Sequence, residues 1–173
     1  MAFDQRDELW EVTFETYYDA YYNEQLADYL INRWQRVDES TKVLSALTAS
    51  GSAVSGWALW NQPSFHLMWA LLAGAAALLT ITHAALAVPG RLKDQAELKR
   101  RFAGLRTDLE TFRYRMRVNP DFSVDDFTKE FVTYRTRYSD SIQLLKNDLL
   151  LTSRLAKKAQ SELNNFLKEE ISD

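Results

Sequence analysis

The sequence predicts an all-α integral membrane protein, a two-transmembrane helical hairpin with long amphipathic cytoplasmic helices on either side. Three observations predict it. The 21 basic and 24 acidic residues all lie outside the stretch 43–90. Two apolar runs inside that stretch approach or reach the roughly 20 helical residues needed to cross a hydrocarbon core about 30 Å thick. The flanking segments step their apolar residues by threes and fours, the rhythm of helices with one buried face.

Residues 1–42 form the first element. Trp10, Phe14, Tyr17, Tyr21, Leu26, Tyr29 and Leu30 recur at helical spacing, so a helix is expected from about Asp7 to Asp38, leading toward the membrane. It holds five tyrosines, and ten acids against four bases leave it at minus six. That sign argues against nucleic acid or anionic lipid as its main partner. The chain's beginning, Met1-Ala2-Phe3-Asp4, lacks the basic-then-apolar order of a cleavable signal peptide, so the hairpin itself is expected to direct insertion.

The hairpin occupies 43–90, with crossings at about 43–60 and 67–88. The second run, Leu67 to Val88, is long enough by itself. The first is shorter and interrupted by serines and a threonine, and it draws support from its partner. Asn61-Gln62-Pro63-Ser64 makes the tip, because proline cannot continue the preceding helix without strain. Trp57, Trp60, Phe65 and Trp69 surround that tip, as aromatic rings do at a membrane interface. Arg33, Arg36 and Lys42 precede the first crossing, and Arg91, Lys93, Lys99, Arg100 and Arg101 follow the second. The tip has no basic residue, so the positive-inside rule puts both termini in the cytoplasm. The competing reading is a soluble hairpin buried in a larger core, but 173 residues hold too little other apolar surface to cover it.

In the first crossing Thr41, Ser45, Thr48, Ser52 and Ser55 alternate spacings of four and three, which gathers their hydroxyls on one helix face. Ala46, Ala49, Ala53 and Gly56 run beside them, and Ala70, Ala73, Ala77, Thr80, Ala84 and Ala87 form a small-residue stripe in the second crossing. Such stripes let transmembrane backbones approach closely, with Ser and Thr bonding across the contact or back to their own helix. The same hydroxyl face could instead line a water-filled path between several hairpins. The candidate pore-lining or helix-packing residues are therefore Ser45, Thr48, Ser52, Ser55, Thr80 and His83. His83 sits within the second crossing, where an ionisable group is costly. A proton or gating role and a neutral, hydrogen-bonded imidazole both fit it.

The C-terminal region, 91–173, is expected to hold cytoplasmic helices at about 91–118 and 124–170. Leu92, Leu98, Phe102, Leu105, Leu109 and Phe112 are the apolar positions of the first. Arg113, Arg115 and Arg117 alternate around it, which suits a solvated surface or a partner for the acidic N-terminal helix better than a phosphate clamp. Asn119-Pro120-Asp121 breaks the pattern, and Ser123 followed by Asp126 resembles a capping box. From Phe127 to Phe166 the apolar residues again step by threes and fours, with one extra four that reads as a stutter in a single long helix. Such a helix packs on its own chain or joins protomers as a coiled coil.

Cysteine is absent, so disulfides and thiolate chemistry are excluded. The two histidines both fall in the hairpin, and neither a glycine-rich phosphate loop nor a metal-spaced cluster is present. Asp125-Asp126 is explained as first-turn charge at a helix start. The sequence therefore predicts no enzyme, no cofactor and no metal.

Two segments carry a family likeness. Tyr21-Tyr22-Asn23-Glu24-Gln25-Leu26-Ala27-Asp28-Tyr29-Leu30-Ile31-Asn32-Arg33 precedes the small-residue run Leu44-Ser45-Ala46-Leu47-Thr48-Ala49-Ser50-Gly51-Ser52-Ala53, and a second crossing and cytoplasmic helices follow. This order resembles the SLATT family, the SMODS- and SLOG-associating two-transmembrane effector proteins of bacterial conflict systems. The resemblance covers most of the chain and implies a pore-forming homo-oligomer of the inner membrane. It would act in antiphage defence beside a nucleotide-synthesising or nucleotide-sensing partner protein. It transfers no catalytic or ligand-binding residue. The residues leave open a rival in which the hairpin is only an anchor and the helices form a scaffold or sensor subunit, and a third reading, a small proton path using His83.

Overall fold

The computed structural model describes residues 5–59, 66–119 and 121–172. Among them the secondary structure is entirely helical: α1 (Gln5–Leu59), α2 (His66–Ala85), α3 (Val88–Val118), α4 (Val124–Lys146) and α5 (Ser153–Ser172). The chain divides into two compact units, one formed by Met1–Ile31 with Asp94–Asp173, the other by Asn32–Lys93.

In the first unit α1 and α3 run antiparallel, since Asp28 meets Lys99 while Glu24 meets Arg106. Apart from Tyr17 and Leu26, the residues that the two helices bury in this unit keep a strict four-three alternation. On α1 these are Leu9, Thr13, Thr16, Ala20, Asn23, Ala27 and Leu30, and on α3 they are Leu98, Phe102, Leu105, Leu109, Phe112 and Met116. That alternation is the heptad seam of left-handed helix packing. The small side chains in the middle of α1 make room for the phenylalanines and leucines of α3. Thr13 and Thr16 satisfy their buried hydroxyls by donating to the carbonyls of Leu9 and Val12, both at 2.7 Å.

The sequence expectation for α1 was an aromatic stripe. Tyr17, Leu26 and Leu30 are indeed buried, but Trp10, Phe14, Tyr21 and Tyr29 are only half-buried. They occupy the rim, where their amphipathic rings find partners. Tyr21 stacks on Phe166 with ring centroids 4.4 Å apart, and the Tyr29 hydroxyl donates to Glu162 at 3.2 Å, so the rim aromatics hold α5.

The other C-terminal helices follow the sequence with one exception. Ser123 caps α4 by accepting from the Asp126 N–H, and Arg115 pairs in a bidentate fashion with Glu130 across the α3–α4 turn. The expected single helix 124–170 is instead two helices, interrupted at 147–152. Asp148, 6% exposed, accepts from the Leu150 N–H at 2.7 Å and from Gln95 Nε2 at 2.8 Å. A buried carboxylate serving as a turn acceptor replaces helical hydrogen bonds there, whereas the extra four of the rhythm, at Tyr134, Tyr138 and Ile142, lies inside α4.

In the second unit the chain leaves α1 at Leu59, returns at His66 and brings His83 back against Asp38, so α2 folds back along α1. The stretches expected as an N-terminal helix and a first crossing fall in one helix, α1, of 55 residues. One stretch among the described residues, Ala73–Val118, is long and apolar enough to cross a membrane, and 6% of its most apolar part is buried. Its apolar portion belongs to α2. The tip residues 60–65 lie outside the described residues.

The second crossing was expected to end near Val88, before Pro89-Gly90. The observed end is earlier: Leu86 and Ala87 form a turn, Ala87 adopts φ 47°, and the Arg91 N–H bonds the Ala87 carbonyl at 3.0 Å to start α3. Pro89 therefore lies in the first turn of α3, where an N–H has no helical acceptor and its loss costs nothing.

Candidate functional site

The charge-free stretch has a polar boundary built from α1 and α2. Asp38 sits four residues before Lys42 on α1, which places the ammonium one turn above the carboxylate, at 2.6 Å from Oδ2. The other carboxylate oxygen is 3.1 Å from Nε2 of His83 on α2. The Lys42 hydrogen bond first, and the His83 hydrogen bond second, hold the Asp38 carboxyl below its ordinary value. An ionised carboxylate only accepts, so His83 presents Nε2 as the N–H donor. Asp38 and His83 are mostly shielded, with side chains 14% and 28% exposed, whereas Lys42 is 69% exposed. The arrangement can hold the two helices together.

The sequence singled out His83 but not its partner, which lies 45 residues away. An acidic residue one turn ahead of the last lysine before the charge-free run was the available signal. Pairing it with His83 required knowing where the hairpin folds back.

The other candidates are not drawn into this cluster. Thr80 is exposed and donates to the Ala76 carbonyl of its own helix at 2.9 Å. Ser45 is half-buried on α1, one turn beyond Thr41, whose hydroxyl bonds the Val37 carbonyl at 2.7 Å. Thr48, Ser52 and Ser55 lie on the same continuous helix, but their side chains fall outside the described residues. Among the described residues of α2, the large apolar side chains Leu67, Leu71, Leu78 and Ile81 are exposed as well.

The basic cluster of α3 is resolved into separate tasks. The Arg113 guanidinium lies 3.4 Å from the Phe14 ring centroid and 4.8 Å from that of Tyr17, a cation–π seat on α1. Arg115 serves Glu130 of α4, and Arg117 is exposed. The charge pairing with the acidic helix falls instead to Arg106, 2.8 Å from Glu24, and Lys99, 2.5 Å from Asp28. Among the described residues no group of three His, Cys, Asp or Glu is placed to hold a metal ion. Comparison with family models, curated proteins and solved structures finds no match to this chain.

Proposed function

We propose that the protein is an oligomeric effector of the bacterial inner membrane that forms or gates a pore and so disrupts membrane integrity in an antiphage or conflict system, with both termini cytoplasmic. The observation that carries the membrane part is the exposed leucine and isoleucine face of α2 inside a stretch of 48 residues without a charge, 43–90. Exposed apolar side chains in that number need lipid or another copy of the chain to cover them. The pore part rests on the hydroxyl stripe of Ser45, Thr48, Ser52 and Ser55, which a continuous helical α1 keeps on one face. Two helices cannot enclose a path, so several hairpins would line it. The Asp38–His83 link would then set how closely α1 and α2 stay paired at the cytoplasmic end of each hairpin. A nucleotide-synthesising or nucleotide-sensing protein is the partner that the SLATT resemblance implies.

The test is membrane potential in cells expressing the chain, beside a variant with Ser45, Thr48, Ser52 and Ser55 all replaced by leucine. Depolarisation that the variant lacks at equal membrane abundance is the expected result. Undiminished depolarisation in the variant removes the pore-lining role. A second reading, an anchored scaffold or sensor subunit, draws on the fact that the unit of α1, α3, α4 and α5 has its own buried core. An unrelated hairpin in place of 43–90 leaves a scaffold working and silences a pore.

A further inference from the structure

Within the unit of Met1–Ile31 and Asp94–Asp173, α1, α4 and the start of α5 line a half-open cavity of about 420 Å³. Its walls are apolar, with Leu26, Ile142, Leu145, Leu151 and Ala156 among them. Asp19 pairs with Tyr138 and Leu26 clusters with Leu145, so α1 and α4 run parallel here and the cavity has two distinguishable ends.

At one end the Tyr138 hydroxyl donates to Asp19 Oδ2 at 3.4 Å and accepts from Asn23 Nδ2 at 3.2 Å. Partial desolvation beside the helix surface raises the Asp19 carboxyl from its ordinary value, and Asp19 makes no ion pair among the described residues. The nearest cation, Arg135, donates instead to Thr16 at 3.3 Å. At the other end is Lys146, which also makes no ion pair among the described residues, although the same helices carry many acids. Eight residues of α4 separate Tyr138 from Lys146, about 12 Å along the axis. The 147–152 segment that closes the far side is fixed by Asp148 through Leu150 and Gln95, so the cavity is built rather than left by a loose loop.

An apolar slot bracketed by an unpaired carboxylate and an unpaired ammonium is complementary to one class of molecule. We propose that this cavity binds an elongated small zwitterion, its amine at Asp19 and Tyr138, its apolar body along Leu26, Ile142 and Ala156, and its carboxylate at Lys146. The volume matches the small-molecule range, and the few polar groups among apolar walls fix orientation. Each end supplies a charge-assisted hydrogen bond, while the body displaces water from apolar surface. The site does not depend on the membrane reading, and binding is measured without any assay of toxicity.

The experiment is calorimetric titration of the full chain in lipid nanodiscs with ω-aminooctanoate, octanoate and octylamine as probes. Saturable one-to-one binding is expected, tightest for ω-aminooctanoate. Asp19→Asn should erase its advantage over octanoate and Lys146→Met its advantage over octylamine, each about tenfold, the size of one charge-assisted bond. Ala156→Phe, which fills the slot, should abolish binding. Both end residues are exposed, so D19N and K146M fold irrespective of the filled variant. Equal affinity for the three probes, or affinities that D19N and K146M leave unchanged, overturns the proposal and reports simple partitioning into the nanodisc.

Discussion

In the unit of Met1–Ile31 and Asp94–Asp173, Phe102 and Phe112 are wholly buried, and charged side chains meet between helices at Glu24–Arg106, Asp28–Lys99 and Asp108–Arg137. In the unit of Asn32–Lys93, Leu67, Leu71, Leu78 and Ile81 are between 64% and 73% exposed, and α1 meets α2 through Asp38 and His83. The first buries phenylalanines and leucines in a core, while the second leaves large apolar side chains of α2 exposed. Both are antiparallel helical packings, so the helix itself does not set the difference. What differs is where the large side chains go: water drives the first together by apolar burial, whereas α2 of the second leaves large apolar side chains outward, which fits the membrane hairpin proposed above.

The comparison breaks most sharply in the core of the first unit. Phe112→Ala removes a fully buried ring that contacts Phe127 and Tyr134 and should destabilise this unit by about 3–5 kcal/mol, read as a fall in the thermal unfolding midpoint by circular dichroism. Leu78→Ala, equally apolar but 66% exposed, should leave that midpoint unmoved. A large effect at Leu78 would mean that α2 is covered by protein and not by lipid.

A charge on the exposed face of α2 is the next largest effect. Leu78→Arg should disfavour insertion by about 3 kcal/mol if the position lies near the bilayer centre, seen as a shift from the alkali-resistant membrane fraction to the extractable one. Val132→Arg, on an exposed apolar position of α4, should fractionate as the natural chain does. Identical fractionation of the two variants would erase the distinction between the units.

The smallest effect is at the boundary link. The Asp38 carboxyl is held below its ordinary value, so its contribution is complete above the usual carboxylate range and disappears as pH falls through the lowered value. The ring nitrogen shifts of His83 should report that loss in an acid titration, and Asp38→Asn should show the unlinked shift already at neutral pH. A His83 spectrum indifferent to Asp38→Asn would remove the link from any account of how the hairpin is held.

Much of this was legible in the residues, and what escaped did so for identifiable reasons. The end of α3 at Val118 and the Ser123 cap came from local chemistry that needs no tertiary knowledge. The break between α4 and α5 was written as Asn147-Asp148, but a regular apolar rhythm on both sides outweighed it. The buried face of α1 was misplaced because aromatic size was taken as the mark of a core. The seam is lined by Thr13, Thr16, Ala20, Asn23 and Ala27, residues whose smallness matters only when opposed by Phe102 and Phe112. Asp38–His83 and the Asp19–Tyr138–Asn23 group join positions far apart in the chain, and no short-range pattern announces them.

Ala87 occupies a backbone region where an L-residue sits at a cost of about 1–2 kcal/mol. Returned to right-handed geometry, it would run α2 and α3 together as one straight helix. That helix would carry Pro89 in its interior, at a cost of about 3 kcal/mol or more. The turn at Leu86 and Ala87 is the less costly of the two strained choices, and it keeps the proline in the first turn of α3. The margin between the two is small: Pro89→Ala would lower the cost of an uninterrupted helix, while Ala87→Gly would relieve the strain of the turn.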